Sequence, residues 1–135
     1  MNAERTPAQI YALLFGIVGF IVDSSFDTGS GVQGDELIVF EVNGWHNLVH
    51  IASGAVGLAL ARSRPGARAF ALGFGAVYLA VTIWGFVDGN SVLALLPVNT
   101  ADNFLHLAIA LLGLGAGLAS SPAPAGPPRS AATAR

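Results

Sequence analysis

The chain has 135 residues, of which 53% are hydrophobic and only 10% charged, with a mean hydropathy of +0.64 and a formal net charge of −2. Soluble domains carry roughly a quarter charged residues, and no basic stripe is present to follow a phosphate backbone, which sets aside an ordinary soluble fold and nucleic-acid binding. The absence of cysteine excludes disulfides, thiolate metal sites and iron–sulfur clusters.

Four apolar stretches follow one another: Ile10–Val22, Leu48–Ala61, Ala69–Val87 and Phe104–Ala119. Only the third by itself reaches the ~18 residues that argue for a membrane helix, but each extends to about 20 through its flanking residues. Charge placement supports reading all four as spans. Arg5, Arg62, Arg64, Arg68, Arg129 and Arg135 fall in the N-terminus, the second–third connection or the tail. Asp23, Asp27, Asp35, Glu36, Glu41, Asp88 and Asp102 lie in the other two connections or at the helix starts that follow, and only Glu4 does not. The positive-inside rule then puts both termini in the cytoplasm. The expected fold is all-α: an integral membrane four-helix bundle with spans at about 7–24, 44–61, 68–87 and 100–119.

In chain order, Thr6-Pro7-Ala8-Gln9 is a helix start, with a threonine cap, proline at the first helical position and glutamine three residues after the cap. Asp23-Ser24-Ser25 is no signal-peptidase site, so the first span is read as retained. The connection that follows lacks the acidic ladder of a calcium loop, whose twelfth position would be Ile38, and reads as a solvated loop. Arg62 to Arg68 reads as a tight basic turn, and residues 120–135 as a disordered Pro/Ala-rich cytoplasmic tail. Trp45 and Trp84 are placed for an interfacial belt. Phe70, Phe74 and Tyr78 recur at helical spacing as packing residues.

The chain also repeats itself. VNGWHNLVHIA at 42–52 returns as VNTADNFLHLA at 98–108, YALLFGIVGF at 11–20 as FALGFGAVYL at 70–79, and LIVFEVN at 37–43 as LALLPVN at 93–99. The bundle is therefore expected to be two parallel helix-pair repeats about a pseudo-two-fold along the membrane normal. These segments resemble the small bacterial four-helix membrane proteins of domain-of-unknown-function family 4383 over residues 9–119. The resemblance implies this fold in a bacterial cytoplasmic membrane and brings no established activity. The first copy departs from the pattern where Glu41 stands in place of the proline found at Pro97.

The repeated polar residues hold the functional question. Asn43 and Asn99 are placed as helix N-caps, and Asp102 sits in a first turn where negative charge is favoured. His50 and His106 lie about 10 Å along their helices, in the outer third of the bilayer, where an ionisable side chain requires a partner. On one face of the second span run His46, His50, Gly54, Gly57 and Ala61, and on the fourth Asp102, His106, Ala110, Gly113 and Gly117. Small-residue stripes let membrane helices approach closely, so the second and fourth spans are expected to pack along them. That packing would gather His46, His50, Asp102 and His106 into one cluster.

The first reading of the cluster is structural, with the histidines, Asn47 and Asn103 fixing helix register by hydrogen bonds. The alternative is a zinc-type divalent metal on His46, His50, Asp102 and His106, and below it haem on His50 and His106. No catalytic residues or motifs are identified, so a non-enzymatic structural or accessory module without cofactor is expected. Its partners would be the lipid bilayer and a membrane protein or a second copy of the chain, with no nucleic acid.

Overall fold

The computed structural model describes residues 5–17, 23–89 and 91–120. The expected tail beyond residue 120 and the later part of the first span, residues 18–22, lie outside them. The described chain is mostly helical: α1 (Pro7–Ile17), α2 (Gly44–Leu60), α3 (Arg64–Asp88) and α4 (Thr100–Ala119). Of these, α3 with 25 residues and α4 with 20 are long and apolar enough to cross a membrane. Two short antiparallel hairpins precede α2 and α4: β1 (Asp35–Leu37) with β2 (Phe40–Val42), and β3 (Ser91–Val92) with β4 (Leu96–Pro97).

Each helix start has a chemical cause. The Thr6 hydroxyl accepts from the Gln9 amide at 3.3 Å, and Gln9 Oε1 accepts from the Thr6 amide at 3.1 Å, a reciprocal cap with Pro7 just inside. Asn43 caps α2 by accepting from the His46 amide at 2.9 Å. Asn99 caps α4 by accepting from the Asp102 amide at 3.0 Å, while Asp102 Oδ2 accepts from the Asn99 amide at 2.9 Å. Such caps contribute about 1 kcal/mol each. Ser63 caps α3 and Pro65 lies in its first turn, so this helix begins four residues before the expected span and absorbs part of the basic turn.

Small residues let the helices approach. Ala8, Ala67 and Ala71 pack beneath Tyr11, and Ala12 and Ala61 meet Phe70. A Cβ on Gly75 would lie 2.8 Å from the Leu114 amide nitrogen, and one on Gly113 3.0 Å from the Ala71 carbonyl, which brings α3 and α4 nearly into backbone contact. Gly117 fits against Leu72 in the same interface, and Gly57 of α2 faces Phe70 and the Ala12 carbonyl.

The stripes therefore pack helices, but against other partners than expected. No Cα of α2 comes within 8 Å of one of α4; α4 packs chiefly on α3, and α2 on α1. The hairpin-linked pairs α1–α2 and α3–α4 each pack together, and α1 also touches α3 and α4. This leaves α2 and α4 at opposite corners, where only long side chains meet.

The two outer connections, the first of them read from sequence as a solvated loop, contain the two hairpins, joined crosswise. Asn43, besides capping α2, donates from Nδ2 to the Leu95 carbonyl at 2.9 Å in the second hairpin. Asn99 donates from Nδ2 to the Val39 carbonyl at 2.8 Å in the first. Donor and acceptor of one bond each stand 56 positions from those of the other. The turns they hold are unusual. Ile38 (φ 64°), Leu93 (57°) and Ala94 (55°) adopt the left-handed conformation that non-glycine residues rarely occupy. Their neighbours' carbonyls are gripped from elsewhere, and Ala94 accepts from the Gly29 amide at 2.9 Å.

Candidate functional site

Beneath the hairpins, α2 supplies His46 and His50 one turn apart, and α4 supplies His106 from across the gap. The His46 ring lies 4.8 Å from that of His50 and 5.9 Å from that of His106, centroid to centroid. Ligand-capable atoms of the three all fall within 4.8 Å of one another. His46 and His106 are buried and His50 is partly so. The edge-to-face contact of Tyr78 with His106, at 5.1 Å, closes the cluster on the α3 side.

The surrounding polar groups are largely committed. His46 Nδ1 lies 3.0 Å from the Glu41 carbonyl of its own hairpin, and the Pro97 backbone faces the same ring. Asp102 Oδ2 accepts from two backbone amides, Asn99 at 2.9 Å and Glu41 at 2.9 Å, the second reaching across from the other hairpin. Asn47 donates to the Asp23 carbonyl at 2.8 Å, whereas the buried amide oxygen of Asn103 packs against Gly85 without a hydrogen-bond partner. His106 Nδ1 is buried without a hydrogen-bond partner.

Two cavities flank the cluster. One, of about 200 Å³, is walled by Leu37, Phe40, Val42 and Leu105 and reaches His46, His50 and Asp102. The other, of about 150 Å³, is walled by Phe74, Val77, Tyr78 and Val81 and reaches all three histidines. Both linings are overwhelmingly apolar.

The candidate residues thus divide. His46, His50 and His106 converge; Asp102 borders them with its carboxylate bound to the backbone; Asn43 and Asn99 fasten the hairpins; Asn47 ties α2 to a loop, and Asn103 packs against α3. Gly54 and Ala110 are buried one turn past His50 and His106, on the helix faces continued by Gly57 and Ala61 and by Gly113 and Gly117. Sequence reasoning missed Tyr78 as a neighbour of the site, because its spacing with Phe70 and Phe74 reads as packing. It also missed the hairpin carbonyls.

The described molecule belongs to the class of small four-helix proteins with helices apolar enough for a membrane and a histidine cluster at the hairpin end. The chain is a member of the family described as a domain of unknown function, DUF4383, which it matches over residues 8–119. No curated protein and no solved structure matches it.

Proposed function

We propose that this chain is a multi-pass protein of the bacterial cytoplasmic membrane. Two copies of one helix pair are related by a pseudo-two-fold along the membrane normal, with both termini cytoplasmic and the hairpins outside. Its role in this reading is that of a non-enzymatic structural or accessory module, seated beside a membrane protein or a second copy. The observation that carries the membrane reading is inverted burial. On α4 the buried residues are Asp102, Asn103, His106, Ala110, Gly113 and Gly117, whereas Leu111, Leu112 and Leu118 are exposed, the last at 72%. On α3, Gly75, Thr82 and Gly85 are buried beside Phe70 and Tyr78, whereas Val77, Ile83 and Val87 are exposed, the last at 82%. A helix in water would point those large side chains inward; lipid accepts them, and small residues then make the helix contacts.

A binding role is favoured because, beside the three histidines, the polar side chains at the cavities are committed to the fold. Ser53 donates to the Val49 carbonyl at 2.6 Å, Asn47 is bound to Asp23, and Asp102 is held by two amides.

The cysteine-free chain makes the topology directly testable. Ser30→Cys is expected to react with a membrane-impermeant maleimide in intact cells, and Ala132→Cys only after lysis. Labelling of both in intact cells, or recovery of the chain in the soluble fraction, would overturn the membrane reading. A photo-cross-linking side chain at exposed Leu112 is expected to capture a second copy or another membrane protein; capture of lipid alone would remove the accessory role.

A further inference from the structure

We propose that His46, His50 and His106 together hold one divalent transition-metal ion of the zinc type, with Asp102 outside the coordination sphere. The proposal rests on the membrane-bundle reading only for the dry surroundings it gives the site. The three imidazoles are already gathered, their ligand-capable atoms within 4.8 Å of one another. Tetrahedral zinc with bonds of about 2.0–2.1 Å needs nitrogens about 3.3 Å apart.

The second shell is in place for one ligand. A ligating histidine characteristically gives its other ring N–H to a carbonyl or carboxylate, which fixes its orientation. His46 does this through Nδ1 to the Glu41 carbonyl at 3.0 Å, leaving Nε2 to ligate. For a second ligand the need is visible: Nδ1 of His106, a residue only 3% exposed, has no hydrogen-bond partner. A buried polar atom of this kind is unfavourable unless something binds it, and coordination is one way to satisfy it.

The donor set selects the ion. Three neutral imidazoles without thiolate or free carboxylate suit zinc and its first-row neighbours, whereas calcium and magnesium require oxygen ligands. Asp102 lies against the site, but no carboxylate oxygen is among the atoms gathered within 4.8 Å, and its Oδ2 accepts from the Asn99 and Glu41 amides. A fourth position would instead open onto the flanking cavities, where a water or small anion fits. Volumes of about 200 and 150 Å³ favour an ion over a porphyrin, since even drug-sized ligands occupy pockets of roughly 300 Å³ and more.

The test is metal titration of the full chain in detergent after chelator stripping, with Zn²⁺ and with Co²⁺ as a visible-spectroscopy probe. One ion per chain is expected, with the Co²⁺ absorption of a tetrahedral site. His50→Ala and His106→Ala should each weaken binding by more than about 100-fold, beyond the usual loss from second-shell changes. Asp102→Asn should keep one ion per chain. Helical circular dichroism and a single species in detergent establish which variants fold, and where one does not, His106→Gln and the unmodified chain carry the test. Folded wild-type protein that takes up no stoichiometric metal would overturn the proposal, as would wild-type affinity in both alanine variants or a haem spectrum on purification. Failure of the membrane reading appears elsewhere, in maleimide labelling and membrane fractionation, and does not change the metal count.

Discussion

At residue scale the informative positions are those where the two copies of the motif differ. Glu41 stands where the second copy has Pro97, and His46 where it has Asp102. The hydrogen bonds make these two differences one. Glu41 has a backbone N–H, and Asp102 accepts it across the hairpins at 2.9 Å. Pro97 has none to give, so a carboxylate at position 46 would lack the matching donor. His46 instead bonds the Glu41 carbonyl through Nδ1 and turns its ring to the cluster. His46→Asp is therefore expected to destabilise the fold, and adding Pro97→Ala, which restores an N–H, should recover part of the loss. A double-mutant cycle by denaturant unfolding in detergent should show coupling of about 0.5–3 kcal/mol; strict additivity would refute this pairing. Sequence alone exposed both mismatches but not their connection, because residues 41 and 102 meet only when the two hairpins are side by side.

At element scale the helices were legible and the hairpins were not. Caps at Thr6, Asn43 and Asn99 are chemical signals at fixed spacing from the residues they serve, so the starts of α1, α2 and α4 follow from local sequence. Tight hairpin turns are ordinarily marked by glycine, asparagine or aspartate, which tolerate positive φ. Here Ile38, Leu93 and Ala94 occupy that conformation, so the turns carry no local signal. Small-residue stripes were equally legible as packing surfaces, yet a glycine does not name its partner. The structure separates glycines that look alike in sequence. A Cβ on Gly75 would press on the Leu114 backbone at 2.8 Å, whereas one on Gly73 meets nothing within 4 Å. Gly75→Ala should cost about 1–3 kcal/mol by forcing α3 from α4, while Gly73→Ala should be neutral or slightly stabilising. Paired thermal unfolding measurements in detergent check this contrast, and equal effects at the two sites would contradict the close α3–α4 contact.

At the scale of the whole molecule, the crosswise bonds from Asn43 to Leu95 and from Asn99 to Val39 tie the hairpin of each half to the helix cap of the other. Removing either asparagine deletes a cap and a link between halves together. Asn43→Ala and Asn99→Ala should each lower stability by about 1–2 kcal/mol, with increased proteolysis in the hairpins as a second readout. Loss in only one variant would argue against the reciprocal arrangement. The sequence by itself determined the helical class, the helix starts, the family and the eight outer polar residues of the motif, because capping, hydropathy and spacing are local properties. Only the tertiary structure decided that α2 and α4 stand at opposite corners, that their stripes face α1 and α3, and that three histidines converge while Asp102 is held by backbone amides. Those outcomes depend on which elements become neighbours, and in a chain of small apolar residues that choice rests on hairpin contacts between residues more than fifty positions apart.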